Sequence, residues 1–231
     1  MPAPPPPQPG IAAIEVIEDF TARARCDEGF LHVRRMRCRN RRSDGSASAE
    51  YRVDVMDRPR LDAVAVLVHR RSEGGALEVL TRKNLRPAAY FRRGKAPTIP
   101  DERDFLFIDE IVAGLLEPED RGEAGLRHRA ACEVREEAGY QVAPERVRLL
   151  GAGFFVVPGI LSERIYPAAV DVTGLEQEPP GGDGSPLEEG GRTRWWPAGA
   201  LLSACRSGEV PDAKTELLLV RLLSDLDRVR G

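Results

Sequence analysis

Residues Gly114–Tyr140 read GLLEPEDRGEAGLRHRAACEVREEAGY, and the end of this stretch predicts a helix with a crowded acidic face. Glu133 and Glu137 stand four residues apart, so on a helix they share one side, with Glu136 next to them. Like charges at this spacing repel unless a cation lies between the carboxylates. Mg²⁺ fits, since it takes oxygen ligands and is commonly shared with substrate phosphates, although a solvated acidic face is the alternative. Gly139 predicts the helix end, where a left-handed residue is common.

The composition limits the class of protein. The chain has 231 residues, a net charge of −3 and 34 basic residues spread along the sequence, which argues against a general nucleic-acid partner. The apolar runs are too short to span a membrane, so no membrane partner is expected. Scattered histidines give no basis for a histidine metal site. The cysteines lack zinc-type spacing and disulfide density, which favours a cytoplasmic location (Cys26, Cys38, Cys132, Cys205).

The sequence suggests three parts. Residues 1–10, MPAPPPPQPG, predict a disordered, polyproline-like tail. Residues 11–58 predict a small β unit, and residues 59–231 the main domain. Because the β unit has few apolar residues, it cannot be stable alone. We expect it to pack on the main domain or on a second subunit.

Two strands are predicted within the β unit. They are Phe30–Cys38 and Glu50–Met56, joined through a turn around Asp44–Gly45. Ile11–Phe20 is ambiguous, and we interpret it as a strand that begins near Ile14.

The main domain alternates apolar strands and helices. Asp62–His69, DAVAVLVH, predicts a buried strand, because its nearly continuous run of Val and Ala leaves no polar face. Other strands are expected at Leu77–Arg82, Phe105–Val112, Val147–Val157, Ser162–Val172 and Thr193–Pro197, and helices from Leu201 and over Pro211–Arg228.

The quoted stretch resembles the Nudix box, G-x5-E-x7-R-E-U-x-E-E-x-G-U, in which U is an aliphatic or aromatic residue. The residues that carry the match are Gly114, Glu123, Glu133, Val134, Glu136, Glu137, Gly139 and Tyr140. The spacings on both sides of Glu123 are longer than in the pattern, and Cys132 stands where the box has arginine. In the family that arginine pairs with a glutamate of the box and orients the acidic face. Arg129 and Arg135 are the candidates to replace it.

Segments outside the box resemble the ADP-ribose pyrophosphatase branch of this family. Arg82–Pro87, RKNLRP, is similar to a segment whose second arginine contacts the substrate diphosphate. Arg86 holds that place, with a plain surface arginine as the alternative. Glu110–Gly114, EIVAG, is similar to E-x-P-A-G, in which the alanine carbonyl binds metal. Gly208–Thr215, GEVPDAKT, is similar to the start of the family's last helix, whereas a proline of ADP-ribose-specific members is Val156 here.

Gln177–Arg192, QEPPGGDGSPLEEGGR, predicts an acidic, Gly/Pro-rich loop. A solvated linker is one interpretation. In the pyrophosphatases that the chain resembles, the corresponding loop brings a glutamate to the metal centre as base or ligand. Glu189 aligns best with that glutamate, and Glu188 is next.

The resemblance implies an α/β fold, the Nudix α/β/α sandwich with a mixed central sheet, plus a small N-terminal antiparallel β unit that mediates a homodimer. It implies Mg²⁺-dependent hydrolysis of a nucleoside diphosphate derivative, with Mn²⁺ as a substitute metal. ADP-ribose is the leading substrate, and UDP- or GDP-sugars are the alternative. A catalytically silent nucleotide-binding module and an interaction domain without any nucleotide are further alternatives. The assigned residues are catalytic Glu189, Glu188 and Glu136, substrate-binding Arg86, Glu110 and Arg82, and metal-binding Ala113, Glu133, Glu137, Glu136 and Glu123.

Overall fold

The computed structural model of the chain describes residue 23 and residues 25–182 and 184–230. The tail at residues 1–10 and the ambiguous segment Ile11–Phe20 lie outside these ranges. The described strands are β1 (His32–Cys38), β2 (Tyr51–Asp57), β3 (Ala63–Arg71), β4 (Leu77–Leu85), β5 (Phe107–Glu110), β6 (Val112–Leu115), β7 (Arg148–Leu149), β8 (Phe154–Phe155), β9 (Arg164–Asp171) and β10 (Arg192–Pro197). The described α-helices are α1 (Pro87–Tyr90), α2 (Gly122–Ala138), α3 (Ala198–Ser207) and α4 (Ala213–Arg230).

Strands β3 to β10 form one mixed sheet. Its central path runs β10-β4-β3-β9-β7, while β5 pairs with β4, β6 with β3 and β8 with β9. Strands β3 and β9 are parallel, and the other pairs are antiparallel. The main domain is therefore built around β3, which has β4, β6 and β9 as neighbours.

Helices cover both faces of this sheet. On β3, Ala65 and Leu67 pack on one side with α3 and α4, and Val64 and Val66 pack on the other side with α2. These side chains are fully buried, as the sequence of β3 predicts. Successive residues of a strand point to opposite faces, so a strand buried on both sides must be apolar throughout. The three-layer α/β fold with a mixed central sheet is confirmed.

The box helix ends at the predicted position. It is α2, and Gly139 follows its last residue with φ 74°, a left-handed conformation that favours glycine. The Gly139 amide donates to the Arg135 carbonyl at 3.1 Å and closes the last turn.

Two predicted strands are interrupted. Phe105–Val112 was expected to be continuous, but β5 ends at Glu110 and β6 begins at Val112, because β5 pairs with β4 and β6 pairs with β3. Ile111 lies at this step, and its amide donates to the Thr215 hydroxyl at 3.1 Å instead of to a strand. Val147–Val157 likewise contains only the short strands β7 and β8, because Gly151 between them takes φ 86°.

Strands β1 and β2 form a separate antiparallel sheet, as predicted. It contacts the main domain at residues 160–163. The Met56 amide donates to the Ile160 carbonyl at 2.7 Å, the Ser162 hydroxyl donates to Asp57 at 2.8 Å, and Arg58 pairs with Glu163. The boundary at residue 58 and the role of this sheet in a homodimer stay predictions.

Of the helices in the described ranges, none is both long enough and apolar enough to cross a membrane.

Candidate active site

The backbone of β6 brings two box glutamates together. The Ala113 amide donates to Glu137 Oε2 at 3.1 Å. A Cβ on Gly114 would lie 1.9 Å from the Glu133 carboxyl carbon, so the absence of a side chain at Gly114 makes room for that carboxylate. The family pattern places glycine here, and the structure supplies a physical reason for it. Both carboxylates thus converge on Ala113 and Gly114.

Arginines flank the pair. An Arg129 amino nitrogen lies 3.8 Å from Glu133 Oε1, and an Arg82 amino nitrogen lies 3.7 Å from Glu137 Oε1. The Arg82 side chain is only 6% exposed. These guanidinium groups offset the repulsion between the like-charged carboxylates of Glu133 and Glu137. The sequence alone did not show which cations would do so.

Arg129 is also fixed by a second carboxylate. Its Nε donates to Asp120 Oδ2 at 2.8 Å, and the same oxygen accepts the Glu117 amide at 2.9 Å. Burial by itself lowers the pKa of the Arg129 guanidinium, but Asp120 outweighs it and the pKa is raised. Arg129 therefore stays charged next to Glu133. Cys132, at the arginine position of the box, instead lies 3.8 Å from His128 Nε2.

Replacing Arg129 with methionine is expected to lower the free energy of unfolding by about 2 kcal/mol, because Asp120 would lose its charged partner while remaining buried. The Asp120 side chain is 3% exposed. Arg135→Met on the same helix is the matched control, since its side chain is 57% exposed. Urea denaturation measures both variants. Equal stability of the two would show that the Arg129–Asp120 pair does not hold the helix start.

A second charged network joins β5 to the start of α4. Arg86 contacts Glu110 through two nitrogens, at 2.5 and 3.1 Å. The Lys214 ammonium donates to Glu110 Oε2 at 3.1 Å and to Asp212 Oδ1 at 2.6 Å. Asp212 Oδ2 accepts the Thr215 amide at 3.1 Å, which is the capping contact expected at a helix start. Glu110 is thus shared by Arg86 and Lys214.

The loop at 177–192 is docked on the C-terminal end of α2. The Glu178 amide donates to the Gly139 carbonyl at 2.8 Å, and the Gly182 amide donates to the Glu136 carbonyl at 3.0 Å. A Cβ on Gly139 would lie 1.9 Å from the Glu178 carbonyl oxygen, so this close approach requires glycine. The last carbonyls of an α-helix have no intrahelical donors, and the loop supplies donors to two of those in α2, those of Glu136 and Ala138.

This loop forms one wall of a cleft of about 630 Å³. The cleft is lined by Arg82 from β4 and by Ser185, Glu189 and Thr193. An adjoining cleft of about 520 Å³ is lined by Glu136 and Gly182, among others. Glu189 is exposed and shares the first cleft with Arg82, the partner of Glu137. A larger cleft, of about 850 Å³, lies against β1 and β2 and contains none of the assigned residues.

The side chains of Glu123 and Glu136 are more exposed than those of Glu133 and Glu137. The Glu123 side chain is 77% exposed and pairs with Arg127 at 3.7 Å, so the structure does not bring it to Glu133 and Glu137. The Glu136 side chain is 41% exposed and pairs with Arg135 at 3.6 Å. Glu188 is the last residue of the 3-10 helix Pro186–Glu188, directly before Glu189.

The donor set suits a hard divalent cation in its chemistry. Glu133 and Glu137 and the Ala113 carbonyl would all supply oxygen ligands, as Mg²⁺ requires. The arrangement of these groups, however, does not form a ready-made metal site. In the described ranges, no group of three or more His, Cys, Asp or Glu side chains is arranged to hold a metal ion. Both carboxylates are instead turned to arginines and to the Ala113 amide.

Some residues of this site were not assigned from the sequence. No sequence pattern distinguished Asp120 from its neighbours, because it lies in an acidic loop among similar residues. Lys214 lies within the GEVPDAKT segment, but only its position in a helix start was expected. Their roles depend on contacts between distant segments, such as Lys214 with Glu110.

One of three comparisons with known proteins found a match, and it agrees with this architecture. No protein-family model matches the chain, and no curated protein matches it. Among solved structures, the chain is similar to a protein described as an ADP compounds hydrolase. The TM-score is 0.57 at 14% sequence identity, and the match covers 86% of this chain and 94% of that chain. At this identity the likeness shows the fold alone. The chain has a Nudix-like fold.

Proposed function

We propose that this chain hydrolyses the diphosphate bond of a nucleoside diphosphate derivative. The observation that carries the proposal is the convergence of Glu133 and Glu137 on the Ala113–Gly114 backbone, with Arg82 beside Glu137. Carboxylates that can hold a cation and arginines that suit phosphate are the groups that diphosphate hydrolysis needs. The solved structure of similar fold is described as a hydrolase of ADP compounds, which supports the same class of substrate.

Mg²⁺ is the proposed cofactor, with Mn²⁺ as a substitute. Glu133, Glu137 and the Ala113 carbonyl would hold it, and Glu136, whose side chain is 41% exposed, would complete its surroundings. When bound, such a cation neutralises charge on the diphosphate oxygens and polarises the phosphorus that is attacked. Binding would require Glu133 and Glu137 to turn away from their arginine partners, which lie at 3.8 and 3.7 Å.

The chain's own residues bind the substrate and move one proton. Arg86, whose side chain is 47% exposed, would contact the diphosphate, and Arg82 would line the adjoining cleft. Glu189 would accept a proton from water while the water oxygen forms a bond to phosphorus. The bridging oxygen leaves with the second phosphate, so one diphosphate gives two monophosphates. Glu188 is the alternative base, because it directly precedes Glu189 as the last residue of the 3-10 helix Pro186–Glu188.

ADP-ribose is the leading substrate, giving AMP and ribose 5-phosphate. UDP- and GDP-sugars are the alternative, since Val156 and Cys132 both depart from the ADP-ribose pattern. A silent nucleotide-binding module is the second candidate function. It is favoured by the absence, in the part of the chain that the structure describes, of a ready-made cluster of three metal-binding side chains.

A substrate panel tests the proposal. The purified protein is incubated with Mg²⁺, and separately with Mn²⁺, and with ADP-ribose, UDP-, GDP- and ADP-sugars, NADH or diadenosine polyphosphates. Chromatography separates the products, and EDTA serves as the control. We expect release of a nucleoside monophosphate from at least one compound, with loss of product in EDTA. Binding without turnover would instead support the silent module, and the absence of both would support an interaction domain.

A further inference from the structure

Glu110 is a buried carboxylate that two cations share. Its side chain is 6% exposed, and it receives Arg86 at 2.5 and 3.1 Å and Lys214 at 3.1 Å. The two cations differ in their surroundings. The Arg86 side chain is 47% exposed, whereas the Lys214 side chain is 18% exposed and also donates to Asp212 at 2.6 Å. Arg86 can therefore turn outward, and Lys214 is held in place.

Moving Arg86 to a substrate phosphate breaks hydrogen bonds to Glu110, and this loss lowers the net free energy gained on binding. A guanidinium that makes two bonds to a carboxylate must give up at least one of them to bind a diphosphate with the same nitrogens. A buried carboxylate left without a cation is strongly unfavourable. If Arg86 were the only partner of Glu110, it would be held on Glu110, and its affinity for phosphate would be correspondingly lower.

We propose that Lys214 is a positioning residue that keeps Glu110 paired, and thereby frees Arg86 to bind the substrate diphosphate. This inference rests on the proposed function, because it needs Arg86 as the diphosphate contact. Lys214 itself does not touch the substrate. It lowers the cost of transferring Arg86 from a protein carboxylate to a phosphate.

The surroundings of Lys214 suit this role. Asp212, which holds Lys214, is itself fixed by the Thr215 amide at 3.1 Å and hydroxyl at 2.7 Å. The Thr215 hydroxyl in turn accepts the Ile111 amide at 3.1 Å, next to Glu110 in the chain. Burial by itself lowers the pKa of the Lys214 ammonium, but Asp212 and Glu110 outweigh it, so the pKa lies above its usual value. Lys214 therefore remains charged and in place when Arg86 moves.

Binding of ADP in the presence of Mg²⁺, followed by calorimetry, tests this role without any turnover. Lys214→Met is expected to raise the Kd for ADP about tenfold or more, because Arg86 is then the only described cation left on Glu110. The Kd for AMP, which lacks a diphosphate, should change less. Lys95→Met is the matched control, since Lys95 is exposed on a loop, and its Kd values should equal those of the wild type.

A second substitution separates this role from a merely structural one. Adding Glu110→Gln to Lys214→Met removes the charge that holds Arg86, so the Kd for ADP should fall at least about threefold below that of Lys214→Met, because contacting residues are energetically coupled. If Lys214 only supports the fold, Glu110→Gln would not restore binding and the thermal midpoint of the double variant would fall further.

The outcomes for the two proposals are distinguishable. An unchanged Kd for ADP in Lys214→Met, or an unrestored Kd in the double variant, would overturn the role of Lys214 even where the wild type hydrolyses its substrate. A wild type that does not bind ADP would overturn it as well. A wild type that binds ADP and shows the Lys214 effect, but hydrolyses no compound, would contradict the proposed reaction and leave this role standing.

Discussion

Replacing Glu137 with glutamine is expected to lower kcat at least about a hundredfold. Removing one charge from the acidic pair weakens cation binding and removes several kcal/mol of charge stabilisation from the transition state. Each loss of about 1.36 kcal/mol lowers the rate tenfold. Glutamine has the same shape, and its side-chain oxygen can still accept the Ala113 amide at about the present 3.1 Å. The fold should therefore survive. Steady-state kinetics and thermal denaturation measure the two effects separately.

Glu145→Gln is the matched control for this substitution. Glu145 is exposed in the 3-10 helix Pro144–Arg146 and lies outside the assigned residues, so its loss should leave kcat unchanged. Wild-type activity in Glu137→Gln would contradict the assignment of Glu137 as a metal ligand. A large fall in the thermal midpoint would instead show that the Glu137 carboxylate is needed for the fold.

Replacing Gly114 with alanine is expected to displace Glu133 and to lower kcat/KM by about 10- to 100-fold, the range seen when the support of a metal ligand is lost. The new Cβ would lie 1.9 Å from the Glu133 carboxyl carbon and 2.0 Å from one of its oxygens. Because a carboxylate is the end of a flexible side chain, it can turn aside at a cost of about 1–3 kcal/mol in stability. Kinetics and urea denaturation measure both.

Gly199→Ala is the matched control, since an added Cβ on Gly199 in α3 meets no atom within 4 Å. It should leave activity unchanged and stabilise the helix by up to about 1 kcal/mol. Adding Glu133→Ala to Gly114→Ala should restore stability without restoring activity, because the overlap is relieved but the ligand is gone. Normal activity in Gly114→Ala would show that the Glu133 carboxylate need not lie at Gly114.

Local features of the fold were predictable because local physics decides them. The apolar run at Asp62–His69, rich in β-branched valine, is typical of a strand buried on both faces, and Gly139 supplies the left-handed residue that ends α2. The break at Ile111 was not predictable. It arises because β5 and β6 pair with different neighbours, which no pattern within residues 105–112 encodes.

The part of the site that depends on residue spacing along one helix was predictable. Glu133 and Glu137 follow from the four-residue spacing, and both contact the β6 backbone. Glu123 stands one residue further from Glu133 and Glu137 than in the box pattern. One residue turns a side chain by about 100° around a helix. The Glu123 side chain is accordingly exposed. Arg129 was one of two candidates for the missing box arginine, and only the structure shows that it contacts Glu133.

The most direct test of the central claim is hydrolysis in ¹⁸O-labelled water by the wild type with Mg²⁺. ADP-ribose, or the nucleotide sugar that the panel selects, serves as substrate, and mass spectrometry of the products shows which bond is broken. Attack of water on phosphorus predicts two monophosphates, one of which carries a single ¹⁸O on its phosphate, and no product in EDTA. Absence of product, or products with unlabelled phosphates, would contradict the claim that these residues form a diphosphate hydrolase.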